Sequence, residues 1–174
     1  GWIARLVLNG IDVAIFDPDP EASRKVGEVM ENARRAYRQM APQGLPVEGR
    51  IVYCQTLAEA VADADFIQES VPERLDLKHK VLAEIDAHAP ASALVGSSTS
   101  GIKPTDMQKP MTAHPERLVV AHPFNPVYLL PLVEVVGGEQ TSAAFIDKAK
   151  AFYASIGMKP VVVRKEIEAF VGDR

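Results

Sequence analysis

The sequence has one cysteine, Cys54, among 174 residues, which excludes an internal disulfide and any multi-cysteine metal site. No metal is expected. It also lacks a basic excess: 19 Lys and Arg stand against 23 Asp and Glu, a formal charge of −4. A nucleic-acid surface usually needs the opposite balance, so no polyanion partner is expected. The apolar runs fall far short of the ~20 residues of a membrane helix, and no basic-then-apolar leader opens the chain. There is no repeat, low-complexity tract or internal linker. With 47% apolar residues and a mean hydropathy of −0.01, the expectation is one cytoplasmic globular domain. The chain opens Gly1-Trp2-Ile3 without an initiator methionine and closes abruptly at Gly172-Asp173-Arg174. It reads as a piece cut at both ends.

What is present alternates helix with strand, the pattern of a mostly parallel α/β sheet. Residues 2–9 read as the remainder of a helix closed by Gly10, which suits the left-handed position after a helix end. A strand follows at 12–17. Asp19-Pro20-Glu21 then offers a cap, a first-turn proline and a helix-start acid. The helix after it carries Val26, Val29, Met30, Ala33, Tyr37 and Met40 at helical spacing, a core stripe. Further strands are expected at 51–54, 65–69, 93–96, 118–122, 131–136 and 159–163. Helices are expected at 57–63, from about Pro72 onward with Leu77, Val81, Leu82 and Ile85 buried, and at 142–156.

Three places could carry chemistry. Asp17 ends the first strand; an acid there accepts hydrogen bonds from the adenosine ribose in a dinucleotide fold and repels the extra phosphate of NADP. An Asp followed by proline is equally a common helix cap. The glycine-rich phosphate loop that should lie ~20 residues upstream is absent, with Gly1 a candidate for its last glycine. His122-Pro123-Phe124-Asn125-Pro126, followed by Glu134, could pair an imidazole with a carboxylate. Such a pair fixes the tautomer and leaves the other ring nitrogen to abstract a proton, with Asn125 donating to a substrate oxygen. A structural histidine near an unrelated surface acid fits the spacing too. Ser97-Ser98-Thr99-Ser100-Gly101 follows a strand at the edge where open α/β sheets bind ligands, although it could be a simple Ser-rich turn. No Gly-x-Ser-x-Gly elbow is present, which argues against a serine nucleophile. His79, His88 and His114 read as solvated.

Taken together, these segments resemble the 3-hydroxyacyl-CoA dehydrogenase superfamily along essentially the whole chain. Gln68-Glu69-Ser70-Val71-Pro72-Glu73 resembles its segment after the fourth strand. Ser97-Ser98-Thr99-Ser100 resembles its Ser-Asn-Thr-Ser stretch, and Ala121-His122-Pro123-Phe124-Asn125-Pro126 its His-x-x-Asn-Pro. The resemblance implies a Rossmann-type doubly wound α/β sheet over residues 1–174. Its first strand and glycine-rich loop are missing, and so is the helical C-terminal domain through which members form homodimers. It implies NAD as cofactor, a small 3-hydroxy acid as substrate, and neither nucleic acid nor membrane as partner. His122 would be the general base and Glu134 its stabiliser, with Ser100 and Asn125 bonding the reacting oxygen and touching the cofactor. Asp17, Glu73 and Lys78 would line the cofactor site, the last two beside the nicotinamide. Acyl-CoA members usually carry Asn where Asp173 stands. An anionic Asp suits a substrate with a cation beside its hydroxyl-bearing carbon, and Tyr128 and Phe124 are aromatic candidates for a quaternary ammonium. CoA-linked or sugar-acid oxidation, and a non-catalytic nucleotide-binding module, are the competing expectations.

Overall fold

In a computed structural model of the chain, which describes residues 1–41, 44–167, 170 and 172, the backbone alternates helix and strand except where one strand directly follows another. The helices are α1 (Trp2–Leu8), α2 (Ala22–Met40), α3 (Leu57–Val61), α4 (Leu75–His88), α5 (Pro104–Gln108) and α6 (Ala143–Ser155). The strands are β1 (Val13–Ile15), β2 (Ile51–Tyr53), β3 (Phe66–Glu69), β4 (Leu94–Ser97), β5 (Leu118–Pro123), β6 (Leu132–Gly137) and β7 (Lys159–Val163). The chain divides into two compact units, Gly1–Ala60 with Phe124–Pro131, and Val61–Pro123 with Leu132–Arg174.

In the first unit, β1 and β2 pair in parallel, Val13 facing Ile51 and Ile15 facing Tyr53. α1 ends as the sequence expects. Gly10 has φ +82°, its N–H reaches Val7 O, and that of Ile11 reaches Leu6 O, the double closure of a Schellman turn. α1 and α2 bury a shared core of Ala4, Val7, Leu8, Met30, Ala33 and Tyr37, against which Val26, Val29 and Tyr128 pack. Met40 departs from the expected stripe: it is 61% exposed, because it is the last residue of its helix and the core does not extend that far. The start of α2 differs as well. Asp19 accepts the Glu21 N–H at 2.9 Å, and the helix begins at Ala22, after the proline rather than at it. Buried Arg5 donates to Val127 O at 2.9 Å and to Leu130 O at 3.1 Å, tying the Phe124–Pro131 segment to α1.

The second unit holds a five-stranded sheet in the order β3-β4-β5-β6-β7. All its ladders are parallel except β5–β6, which runs antiparallel with His122 opposite Glu134. β4 and β5 are buried at every position, as strands covered on both faces must be. α5 and a 3-10 turn at Pro115–Arg117, both too short for a periodic signal, were not expected. α6 is capped by the Ser142 hydroxyl, which accepts from the Phe145 N–H.

The C-terminal end of α4 is closed from outside its own sequence. Fully buried Arg117 donates to the carbonyls of Ile85, Asp86, Ala89 and Pro90, and to Asp86 Oδ1 at 3.1 Å. The same carboxylate accepts the N–H groups of Ala113 and His114, so one ion pair fixes a helix end and the loop that passes it. Removing one partner of such a buried pair strands the other charge. Arg117→Met should therefore lower the unfolding free energy by about 3–5 kcal/mol in a denaturant titration. A loss under ~1 kcal/mol, the size of a surface pair, would show that the arginine is dispensable.

Candidate active site

The carboxyl ends of β3, β4 and β5 lie along one edge of the larger sheet, because these strands are parallel with Glu69 facing Ser97 and Ser97 facing Val120. β6 returns antiparallel and delivers Glu134 to the same edge. Directly opposed residues in an antiparallel ladder bring their side chains within reach of each other. The geometry follows: His122 Nδ1 lies 2.9 Å from Glu134 Oε2, both residues buried. The other carboxylate oxygen accepts the Gly172 N–H at 3.2 Å, and the imidazole packs 5.5 Å from the Phe170 ring. A carboxylate can only accept, so the neutral ring carries its proton on Nδ1 and its basic lone pair on Nε2.

A second cluster fills the edge between β3 and β4. Glu69 is buried, and its carboxylate accepts from Lys78 Nζ at 2.8 Å, from the Val71 N–H at 2.7 Å and from the Ser97 hydroxyl. Lys78 is buried as well and reaches Glu73 at 3.5 Å and Val71 O at 3.2 Å. Glu73 in turn accepts from the Thr99 hydroxyl and from the Ser100 and Gly101 N–H groups, both at 3.2 Å. Burial alone would raise the Glu73 carboxyl. The Thr99 hydroxyl, the Lys78 ammonium and the two backbone donors outweigh it and hold the group below its ordinary value. Of the two expected cofactor residues here, Glu73 is the one with a half-exposed side chain, whereas the Lys78 ammonium is enclosed by its partners. Glu69 was given no role at the level of sequence. The available signal was two polar residues, Gln68 and Glu69, closing an otherwise apolar strand.

In the first unit, Asp17 lies just past β1 and lines an open hollow of about 620 Å³ with Ile15, Phe16, Tyr53 and Cys54. That volume is in the range of small-molecule sites. One Asp17 oxygen accepts the Asp19 N–H at 2.9 Å. The acid at the end of a parallel strand, the mixed polar and apolar lining and the volume fit the adenosine half of a dinucleotide. Asn125, exposed and joined to Pro126 by a cis peptide, belongs to this unit, as does half-buried Phe124. Tyr128 packs against the α1–α2 core. Ser100 is exposed in the larger unit, and Asp173 lies outside the described residues. His79 is less solvated than expected: it is half-buried, with Nε2 2.7 Å from Asp106 O. Among the described residues no group of three or more His, Cys, Asp or Glu is arranged to hold a metal, and no helix is long and apolar enough to cross a membrane.

Comparison with known proteins fits this arrangement. A family model described as 3-hydroxyacyl-CoA dehydrogenase, NAD binding domain, matches residues 1–167. The chain belongs to that family. It is 79% identical over 174 residues to an L-carnitine dehydrogenase of Mesorhizobium japonicum, covering all of this chain and 48% of that protein. It is 52% identical over 174 residues to an L-carnitine dehydrogenase of Oceanobacillus iheyensis, covering all of this chain and 56% of that one. The chain thus spans about half the length of these curated relatives. Among solved structures, an NAD+-dependent 5-formyl-3-hydroxy-2-methylpyridine 4-carboxylic acid 5-dehydrogenase matches with a TM-score of 0.88 at 32% identity, over 98% of this chain and 55% of that one. The domain is therefore a Rossmann-like NAD-binding domain of an oxidoreductase family.

Glu73 gives this edge a pH dependence with a defined sign. Its folded-state value is depressed, so its contribution to stability is complete above the ordinary glutamate value of 4.5 and fades as pH falls through the lower folded-state value. Glu73→Gln should unfold at lower denaturant than the wild type at neutral pH, and the two midpoints should converge on acidification through that range. A difference that stays independent of pH would remove the carboxylate from the edge's stability.

Proposed function

We propose that this chain is the cofactor-binding part of a longer dehydrogenase that oxidises the 3-hydroxyl of L-carnitine to 3-dehydrocarnitine. His122 acts as the general base and Glu134 stabilises it. The hydrogen bond between His122 and Glu134, set by the β5–β6 register, is the observation that carries the chemistry. The substrate is supported by the 79% and 52% identity to enzymes named for it. Asp173 adds to that support, because an anion in place of the Asn usual in acyl-CoA members suits the trimethylammonium next to the reacting carbon of carnitine.

Bound NAD supplies the hydride acceptor. The chain's own residues do the rest. Asp17 holds the ribose hydroxyls at the end of β1 and disfavours the 2′-phosphate of NADP. Glu73, Lys78 and the N–H groups they organise form the wall on the nicotinamide side. Ser100 and Asn125 donate to the reacting oxygen. His122 Nε2 takes the hydroxyl proton, and the positive charge that spreads over the imidazole is met by the Glu134 carboxylate on Nδ1. Tyr128 and Phe124 offer aromatic surface for the quaternary ammonium. The working enzyme is a cytoplasmic homodimer with small molecules as its partners.

The test is NAD reduction by the full-length enzyme with L-carnitine, L-gulonate and 3-hydroxybutyryl-CoA in parallel, together with His122→Ala. Carnitine should be the preferred substrate by kcat/KM. His122→Ala should lose ~100- to 10,000-fold in turnover, the usual contribution of a positioned base, while NADH fluorescence titrations remain unchanged. Preference for either other substrate would overturn the carnitine reading, and turnover retained by the variant would overturn the base.

A further inference from the structure

A charge taken out of water must be met by partners, and for a buried arginine the usual one is a carboxylate. Arg5 is met by backbone instead. Its side chain, on α1, is buried. Nε and Nη2 both donate to Val127 O, at 3.1 and 2.9 Å, and Nη2 donates also to Leu130 O at 3.1 Å. Burial works against the charge, but a guanidinium stays protonated throughout the pH range of proteins. The segment it holds is a single turn. Pro126 O accepts the N–H groups of Leu129 and Leu130 at 2.9 and 3.0 Å. The carbonyls at the end of such a turn have no donor within it, and a cation is the partner they favour. Val127 lies against the start of α1, where a Cβ at residue 1 would stand 2.9 Å from its Cγ2. Tyr128 packs on the α1–α2 core. Asn125, the residue just before Pro126, is exposed.

Packing does not require this arginine. Val127 and Tyr128 already bury the turn, and an apolar residue at position 5 would bring no charge into the core. What the guanidinium adds is geometry. Its N–H groups leave a rigid plane in fixed directions, so Val127 O and Leu130 O are held at once and the backbone around them loses its freedom to rotate. Asn125 stands immediately before that turn, and its short side chain points where its own backbone aims it. Such aim matters in a reacting site, where a misplacement of about 1 Å can cost ~100-fold in rate.

We propose that Arg5 is a positioning residue for the reaction: by holding the Val127 and Leu130 carbonyls to α1, it aims the Asn125 amide at the reacting oxygen. This rests on the reading of Asn125 as a donor to that oxygen. The oxygen gains negative charge as its proton leaves, so an amide N–H fixed in direction stabilises it more than one that must first be ordered. Any 3-hydroxy substrate supplies that oxygen, and the rest of the substrate does not enter.

The experiment is a double-mutant cycle in the full-length enzyme with Arg5→Met, Asn125→Ala and the two combined, on whichever substrate of the panel the unaltered enzyme oxidises. NADH titration counts the binding sites of each protein, so that kcat is expressed per competent site and any unfolded fraction drops out. Asn125→Ala should lower kcat by about 100-fold, the cost of one donor to a developing oxyanion. Arg5→Met should lower it by about tenfold or more. The double variant should turn over within about twofold of Asn125→Ala alone, because Arg5 works through that amide. Arg5→Lys keeps the cation without the planar fork and should lose only about threefold, the value of a weak hydrogen bond. It carries the same cycle where Arg5→Met fails to fold. Full turnover by Asn125→Ala would overturn the role given to Asn125, and the positioning role with it. A loss at Asn125 beside an Arg5 effect under about twofold, or an Arg5 effect equally large in the Asn125→Ala background, would overturn the positioning role alone. Neither result depends on whether the substrate is carnitine.

Discussion

A carboxylate removed from water must be surrounded by donors or it does not stay charged, and Glu69 imposes that requirement on the edge of the larger sheet. Its three donors come from three directions: the Val71 backbone just beyond its own strand, the Ser97 hydroxyl on the next strand, and the Lys78 ammonium on α4. Lys78 cannot be buried for Glu69 without also meeting Glu73, which lies on the turn entering the same helix. Glu73 then gathers Thr99, Ser100 and Gly101. One buried charge thus fixes a helix against the sheet and fixes the backbone after β4 against the turn after β3. Two carboxylates share one ammonium, so the cluster keeps a net negative charge, carried outward on the half-exposed side chain of Glu73.

The second constraint is the reversal of one strand. With β5 and β6 antiparallel, a histidine near the end of one and an acid near the start of the other become direct neighbours, although 12 residues separate them. A parallel crossover would have put the start of the next strand at the far edge. The single antiparallel ladder in an otherwise parallel sheet is therefore the topological condition for the imidazole–carboxylate pair. It also accounts for the burial of both groups: β6 lies between β5 and β7, so neither side chain sits on an open edge strand.

Much of this was legible in the sequence, for physical reasons that differ by element. The strand ending in His122 and the strand containing Glu134 are apolar apart from a few residues, these two among them, and their order along the chain made the pair a candidate. The spacing left a structural histidine open, because register cannot be read from one strand alone. Gly10 was legible because a left-handed residue at a helix end has a short list of occupants. Met40 was not, since helical periodicity continues past the point where the core stops. The burial of Arg117 and of Lys78 was hidden for a related reason. A long basic side chain reads as solvated until the fold supplies its acceptors, and for Arg117 those lie 27 to 32 residues away. Arg5, which holds the Asn125 segment through two carbonyls, escaped notice in the same way.

Gln68 and Glu69 show how far adjacent residues can be read from the alternation of a strand. Each is polar at the end of β3, and each would be an anomaly in a buried sheet if it lacked partners. Because they face opposite sides, their partners come from different helices, Lys78 of α4 and Tyr153 of α6. Both lines of hydrogen bonds converge on the end of β4 and the residue just beyond it, Glu69 through Ser97 and Gln68 through Ser98. A segment restrained from both faces of the sheet has its donors oriented before a ligand arrives. Preorganised donors of this kind stabilise charge without the reorganisation that water requires. A polar pair at the end of an apolar strand, followed by a turn and a helix carrying a lysine, is on this argument a signature of a prepared binding edge, one that a search for nucleophiles or glycine-rich loops passes over.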